Sequence, residues 1–201
     1  MKIIKVLFTL LLLNINVAIA GNNYKTENGV TLIWGGEGYL VLYFNSMTYR
    51  LELYTDGKEK QYALNLKVFP VLNRAKAYFF PTHSKVLIRV MNDEVIELTS
   101  IYNKNVEDPA NERVCEAIYP ISEEQLAKIF TGIKKIRGDV LESNKEKNGV
   151  NKDFWEFEYK KDKLGKKFKG FYDEINKILP SIKVSPSNTV IQQRKDIRDG
   201  F

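Results

Sequence analysis

The chain has 201 residues, a formal net charge of +6, one cysteine (Cys115) and one histidine (His83). A single cysteine excludes an internal disulfide framework, and one histidine with one cysteine excludes a typical zinc site, which takes about three or four such ligands. The 44% hydrophobic content is sufficient for one domain with its own core. We expect Cys115 to be a buried strand residue and His83 to lie in a surface turn, because neither has an activating partner nearby in the sequence.

The first twenty residues contain the three parts of a secretory signal peptide in the right order. Lys2 and Lys5 form a basic start, and residues 6–13 form an apolar run. Ala18 and Ala20 then provide the small side chains that signal peptidase accepts. We predict cleavage after Ala20 and export to the periplasm or out of the cell.

Two alternatives to a cleaved signal are a membrane anchor and a lipoprotein. A spanning helix needs about 20 apolar residues, which is more than this run offers. A lipoprotein needs a cysteine where the sequence has Gly21. Removal of residues 1–20 takes away two lysines and no acid, which leaves 181 residues with a net charge of +4. No transmembrane segment is expected in the mature chain.

Short strand-like segments separated by turn residues follow one another over the first half of the mature chain. Residues 35–38, with three glycines, predict a tight turn, and Asp56-Gly57 predicts a hairpin turn. Residues 102–113 and 139–152 are predicted to be polar connections. The predicted strands are residues 31–34, 39–44, 49–54, 62–68, 76–80, 85–91 and 94–101. Their spacing favours an antiparallel meander or sandwich.

The pattern then changes to that of an amphipathic helix. Ser122 and Gln125 form a capping box, in which each side chain bonds the backbone N–H of the other residue. Apolar residues at spacings of three and four define its buried side: Leu126, Ile129, Phe130 and Ile133. We predict that Gly132 ends the helix and that residues 133–137 form a strand. The alternative is one helix through residue 137, at a glycine cost of about 1 kcal/mol.

A second helix is predicted over residues 164–179, where apolar residues recur on one side. Residues 153–160 precede it and fit two structures. They could form a strand with Trp155, Phe157 and Tyr159 on one face, or they could extend the helix. We favour the strand.

A basic cluster lies at the start of this second helix. Six lysines fall within ten residues, flanked by two aromatic residues: Lys160, Lys161, Lys163, Lys166, Lys167 and Lys169, with Trp155 and Tyr159. Such a cluster indicates either a solvated helix face, which is the commoner case, or a binding surface for an anionic partner. Because the chain is expected to be exported, that partner would be an envelope protein or an anionic glycan rather than nucleic acid.

No catalytic apparatus is recognisable in the sequence, and no cofactor or metal site is predicted. His83 has no neighbouring carboxylate and nucleophile with which to form a triad. Four acids on apparent strands could still face one groove as the paired carboxylates of a hydrolase, for example one that acts on glycans: Glu94, Glu97, Glu156 and Glu158. Two function classes therefore stay open, a binding module and a secreted carboxylate-dependent hydrolase, and we favour the binding module.

Two stretches resemble segments of other proteins. One is the strand–turn–strand of residues 84–90 and 92–98, and the other is the helix-to-strand passage of residues 119–126 and 132–137. Both are similar to segments of small, uncharacterised exported proteins of Bacteroidetes-type bacteria. The resemblance implies export, this order of elements and a helix end at Gly132, and it transfers no active-site residue.

These patterns predict a single α+β domain over residues 21–180, followed by a flexible polar tail over residues 181–201. We expect an antiparallel sheet or meander of about seven to eight strands with both helices packed on one face. The reason is that the apolar stripe of each helix must be buried against the apolar face of the sheet.

Overall fold

The computed structural model describes residues 23–27, 30–42, 45–70, 76–107, 113–144, 149–159 and 163–182. The predicted signal peptide, with Ala18 and Ala20, and nearly all of the predicted tail lie outside these ranges. Cleavage and export therefore stay predictions.

The described residues form eleven strands and two α-helices. In chain order the strands are β1 (Tyr24–Glu27), β2 (Val30–Leu42), β3 (Asn45–Thr55), β4 (Lys60–Pro70), β5 (Lys76–Phe79), β6 (Lys85–Val90), β7 (Val95–Thr99), β8 (Tyr102–Glu107), β9 (Arg113–Ile121), β10 (Ile133–Asn144) and β11 (Gly149–Glu158). The helices are α1 (Glu123–Phe130), between β9 and β10, and α2 (Leu164–Ile178), which continues into the short 3-10 helix Leu179–Ser181.

The strands form two antiparallel sheets that share one hydrophobic core. The six-stranded sheet has the order β1-β2-β3-β4-β9-β8. The five-stranded sheet has the order β11-β10-β6-β7, and β5 also pairs with β10. Helix α2 packs on β2 and β3, while α1 contacts α2 and β6. The predicted α+β class is confirmed, but a strand number of about seven to eight is too low and the strands divide into two sheets.

Two stretches predicted as polar connections form strands instead. β8 occupies part of residues 102–113, and its Val106 pairs with Val114 of β9. Its polar side chains suit a strand at the edge of a sheet. β10 continues to the hairpin pair Asn144–Gly149, because ladder hydrogen bonds to its neighbours need only backbone N–H and C=O groups.

The glycine-rich residues 35–38 lie inside β2, so the predicted tight turn there is wrong. Trp34 pairs with Glu52 and Glu37 pairs with Arg50, which places two residues of β2 opposite one residue of β3. This arrangement is a β-bulge, and glycine inside a strand commonly marks either a bulge or a close approach of another chain segment.

The same glycines let neighbouring groups lie unusually close to β2. A Cβ atom on Gly35 would lie 2.5 Å from Cβ and 2.6 Å from Cα of Phe171 in α2. A Cβ atom on Gly38 would lie 2.1 Å from the ring of Tyr49. The N–H of Gly36 donates to the Glu174 carboxylate of α2 at 2.8 Å. Helix α2 is therefore fitted directly onto the bulge.

Side chains of the central strands alternate between the core and the opposite face of the six-stranded sheet, which we call the outer face. The core receives one set from β3 and buried residues of both helices: Met47, Tyr49, Leu51, Leu53, Leu126, Ile129, Phe168 and Ile175. The helices thus complete a core that the two sheets begin.

Helix α1 begins and ends where the sequence predicts. Ser122 Oγ accepts the N–H of Gln125 at 3.1 Å, and Gln125 Oε1 accepts the N–H of Ser122 at 2.9 Å. Gly132 follows with φ of 130°, a conformation that favours glycine, and Ile133 begins β10. The capping box, the helix end and the following strand are confirmed.

Four further expectations concern one ambiguous segment, two single residues and one turn. β11 extends to Glu158, so the strand interpretation is confirmed over residues 153–158, and residue 160 lies outside the described residues. Cys115 is buried in β9, and His83 is exposed in the turn before β6. The hairpin turn is also present, since Asp56 Oδ1 accepts two backbone N–H groups in the connection between β3 and β4.

The substitution Ser122→Ala is expected to lower the free energy of unfolding by about 1 kcal/mol, because it removes the acceptor for an orphan N–H at the start of α1. Urea unfolding followed by circular dichroism measures this change. Thr82→Ala, in an exposed turn, is the matched control and should change the free energy by less than about 0.5 kcal/mol. Equal changes in the free energy of unfolding for the two substitutions would show that the hydrogen bond to the Ser122 side chain does not stabilise the protein.

Candidate functional site

The lysines of the basic cluster that the structure describes lie at the start of α2 and are all exposed. They are Lys163, Lys166, Lys167 and Lys169, whereas Lys160 and Lys161 lie outside the described residues. Lys163, Lys166 and Lys167 share one side of the helix because they are three and four residues apart, about one turn. We call these three residues the basic face. Lys169 forms an ion pair with Asp173 at 2.9 Å.

The basic face is carried by a helix that is firmly packed on its other side. Leu164, Phe168 and Ile175 are buried there. The rings of Phe168 and Phe171 lie 5.4 Å and 6.1 Å from the ring of Tyr49. Burial raises the pKa of the Tyr49 phenol, so this group stays neutral in the core. The lysines therefore lie on a helix whose position is fixed by its contacts with the core.

The first turn of α2 adds to the positive potential of the basic face. It contains no acidic residue and no side-chain cap. Backbone N–H groups at a helix start carry partial positive charge, so acids stabilise this position and lysines destabilise it slightly. Lysines thus occupy the first turn of α2, a position at which acidic residues would stabilise the helix more.

The two aromatic residues of the cluster do not lie beside the lysines on the surface. Trp155 is 4% exposed and belongs to the core, where its ring covers Gly138 of the neighbouring strand. Tyr159 is half-buried against the core, and burial raises the pKa of its phenol. Trp155 is therefore not part of a surface patch, because strand alternation directs its ring into the core.

The four acids considered for hydrolysis do not converge on one site. Glu156 forms an ion pair with Lys135 at 2.7 Å, and Glu158 is an exposed residue at the end of β11. Glu94 and Glu97 border a groove of about 400 Å³ between β7 and the start of α1. Two of the four acids therefore share a groove, and the other two belong to a different part of the five-stranded sheet.

The acids of this groove are held together by a cation. Lys128 Nζ lies 2.7 Å from Glu94 Oε1 and 3.3 Å from Glu124 Oε1. The hydrogen bond to Glu94, followed by that to Glu124, raises the pKa of Lys128. Both carboxylates therefore face one ammonium group, whereas the paired carboxyl groups of a glycosidase lie on either side of the bond that is cleaved.

A second set of polar residues meets on the outer face of the six-stranded sheet. We call it the polar network: Arg50 and Glu52 of β3, Asn65 and Lys67 of β4, and Glu116 of β9. Glu52 Oε1 accepts from Arg50 Nε and from Asn65 Nδ2, each at 2.6 Å. Asn65 Nδ2 also donates to Glu116 Oε1 at 2.8 Å, and Lys67 Nζ lies 3.7 Å from the same oxygen.

The polar network is buried within an apolar surrounding. Glu52 is 0% exposed and Asn65 is 1% exposed. The Tyr54 hydroxyl donates to the second oxygen of Glu52 at 2.7 Å. A separate apolar cluster of the outer face lies beside them: Val30, Leu32, Tyr54, Ala63 and Ile118. Buried carboxylates are tolerated only when they are paired and hydrogen-bonded, and here two cations balance two carboxylates.

No protein family, curated protein or solved structure matches this chain. Over the part of the chain that the structure describes, no three His, Cys, Asp or Glu side chains come together as a metal site. None of the described helices combines the length and the apolar character needed to cross a membrane. The functional assignment therefore depends on the geometry of the two polar sites.

Sequence analysis missed the polar network because its members look like solvent-facing strand residues. Arg50 and Glu52 alternate with Leu51 and Leu53, which is the pattern of a strand with one wet face. One sequence feature pointed to the network. Asn65 is a polar residue between two leucines of the next predicted strand, just as Arg50 and Glu52 alternate with leucines in theirs. Only the pairing register brings these polar positions side by side, and no local pattern contains that register.

Proposed function

We propose that this protein is an exported, non-enzymatic binding module that holds an anionic glycan of the cell envelope on the basic face of α2. The observation that carries the proposal is the exposed row of Lys163, Lys166 and Lys167 on a helix whose first turn has no acid. A cationic surface attracts polyanions, and because the helix beneath it is already packed on the core, binding restricts few groups other than the lysine side chains.

A glycan fits this surface because the three lysines concentrate positive charge within one turn of the helix. Lys163 and the adjacent pair Lys166 and Lys167 are separated by about 5 Å along the helix axis, so neighbouring acidic groups of one polymer can contact them together. The predicted signal peptide of residues 1–20 supports a partner outside the cytoplasm. The location follows from the sequence pattern, in the periplasm or beyond the cell.

Binding is a better explanation of the geometry than hydrolysis. In the groove between β7 and the start of α1, Glu94 and Glu124 are paired with Lys128, and Glu97 is paired with Lys85. At Glu52 Oε1 the neighbouring groups Arg50 Nε and Asn65 Nδ2 can only donate. A glycosidase needs one protonated and one ionised carboxyl group on either side of a bond. At both sites the carboxylate oxygens are instead bound by donor groups of the protein itself.

The triple substitution Lys163→Gln, Lys166→Gln and Lys167→Gln is expected to weaken binding of polygalacturonate about tenfold. Each exposed charge contributes up to about 1 kcal/mol, and about 1.4 kcal/mol corresponds to tenfold in affinity. Titration calorimetry at low salt measures the affinity, and added salt should weaken wild-type binding because it screens exposed charges.

A second triple variant separates this surface from net charge in general. Lys58→Gln, Lys60→Gln and Lys152→Gln remove the same charge from exposed positions away from α2. This control should bind nearly as well as the wild type. Equal losses in the two triple variants would assign the attraction to net charge, and absence of wild-type binding would reject the proposed function.

A further inference from the structure

One edge of the five-stranded sheet is formed by β11. This strand pairs with β10 on one side, and none of the described strands pairs with its other side. β11 has ten residues, whereas β7 at the opposite edge has five. A long unpaired edge offers a row of backbone N–H and C=O groups to another chain, so folded proteins usually shorten, cover or pair such an edge.

Alternate residues of β11 direct their backbone groups to this edge. The N–H of Tyr159, just after the strand, donates to the carbonyl of Lys134 in β10 at 2.9 Å. The N–H of Phe154 points the other way and donates to the Asp153 carboxylate at 2.8 Å. Because backbone groups of successive strand residues point to opposite sides, the even-numbered residues 152–158 present their N–H and C=O groups at the open edge.

The side chains of these even-numbered residues form an exposed row. Lys152, Phe154 and Glu156 are exposed, while Trp155 points into the core. Phe154 is 48% exposed at the centre of the row, and the Arg137 guanidinium lies 3.7 Å from the centre of its ring. A cation and an anion stand two residues to either side of this ring. A second, antiparallel copy of the row would therefore match it, because reversal exchanges the two charges.

We propose that two copies of this chain associate through β11, in antiparallel pairing about a two-fold axis at Phe154. Each Phe154 lies opposite the same residue of the second copy, and each Lys152 lies opposite the partner's Glu156. The outward backbone groups face each other in this register, so they complete a ladder of hydrogen bonds. A carbonyl of the second copy replaces the Asp153 carboxylate as acceptor of the Phe154 N–H.

The proposed register matches the backbone and the side chains together. A shift by one residue places outward backbone groups of one copy opposite inward groups of the other, and no ladder forms. A shift by two residues places Phe154 opposite Lys152 or Glu156, so the aromatic pair is lost. Pairing about Phe154 combines an aromatic pair with two pairs of opposite charge, and such cross-strand pairs stabilise antiparallel sheets.

The charges of β10 agree with this arrangement. Arg137 lies opposite Glu156 in the sheet, and Lys135 binds the Glu156 carboxylate at 2.7 Å. In the dimer this carboxylate lies between the basic groups of its own β10 and the partner's Lys152. The two other acids of this face, Asp139 and Glu158, have no acid directly opposite them in either copy. The contact therefore brings no two carboxylates into direct opposition.

Sedimentation velocity on the purified protein tests the association. From about 5 to about 200 µM the wild type should show a reversible dimer with a dissociation constant below about 100 µM, as suits a small contact. Val95→Lys, at an exposed position of the opposite edge strand, is the control and should leave the dimer unchanged. The Lys163, Lys166 and Lys167 triple variant should also dimerise, which separates this contact from the proposed glycan binding. A wild type that is monomeric over this range would overturn the proposal.

Charge reversal tests which residues meet. Lys152→Glu and Glu156→Lys should each weaken the dimer about tenfold, because each creates two like-charged contacts across the axis, whereas Lys152→Gln should weaken it only about threefold. An equal mixture of the two reversed variants should form a heterodimer about as stable as the wild type, because both of its charge pairs are attractive again. A mixture that dimerises no better than the separate variants would contradict the register.

Cysteine cross-linking locates the two-fold axis. Two Cα atoms in a hydrogen-bonded pair are about 5.5 Å apart, within the range that a disulfide spans. Phe154→Cys should therefore form a disulfide-linked dimer under mild oxidation, measured on a gel without reductant, and the native Cys115 is buried. Lys152→Cys is the control, because its two copies would lie about 14 Å apart and should not cross-link. Equal cross-linking of the two variants would overturn the proposal.

Discussion

The substitution Gly35→Ala is expected to lower the free energy of unfolding by about 3 kcal/mol, the upper end of the usual cost of overpacking. The added Cβ would lie 2.5 Å from Cβ and 2.6 Å from Cα of Phe171. A flexible side chain could move aside, but backbone atoms of α2 move only with the helix. Helix α2 would have to lift from the bulge, which would also disturb its hydrogen bond from Gly36 to Glu174.

Gly170→Ala is the matched control, because it makes the same chemical change in the opposite environment. Gly170 lies on the exposed side of α2, and a Cβ there would meet no atom within 4 Å. Alanine stabilises a helix interior relative to glycine by about 1 kcal/mol. Urea unfolding should therefore show opposite signs for the two substitutions. A stabilising Gly35→Ala would contradict the close contact between β2 and α2.

The substitution Glu52→Leu is expected to lower the free energy of unfolding by about 4 kcal/mol, because removal of one partner from a buried ionic network leaves the others unpaired. Leucine has a similar size, so the loss comes from hydrogen bonding and charge rather than from a cavity. Arg50 Nε, Asn65 Nδ2 and the Tyr54 hydroxyl would each lose an acceptor. Urea unfolding measures the change.

Glu97→Leu provides the comparison at an exposed ion pair. Glu97 binds Lys85 at 2.7 Å, but both side chains are about half exposed. Its loss should lower the free energy of unfolding by less than about 1 kcal/mol, as is usual for surface pairs.

A double-mutant cycle tests the coupling between Arg50 and Glu52. The double substitution Arg50→Leu and Glu52→Leu should lower the free energy of unfolding by less than the sum of the two single substitutions. Exact additivity would show that Arg50 and Glu52 are not coupled.

The elements that the sequence predicts well are those whose determinants are close together in the chain. The capping box uses Ser122 and Gln125, which are three residues apart, and the helix end uses Gly132 immediately after the last turn. The apolar spacing that defines α2 is also a local pattern. The export signal is local too, and its test is the intact mass of the native protein rather than the fold.

Sites were harder to predict because they combine residues from distant parts of the chain. Lys163, Lys166 and Lys167 could be recognised as a basic face since one helix carries all three. Trp155 was placed beside them from proximity in sequence, but strand alternation turns its ring into the core. Glu52 and Glu116 are far apart in the sequence and share one amide in the structure.

The amino-acid sequence by itself determined the α+β class, the start and end of α1, the extent of α2 and the basic character of its exposed side. These features depend on backbone propensity, capping and hydrophobic period, which act over a few residues. Only the tertiary structure decided that residues 35–38 form a bulge beneath α2, that the strands divide into two sheets, and that five polar residues meet on the outer face. Those outcomes depend on strand register and helix docking, in which the free energy comes from contacts between residues far apart along the chain.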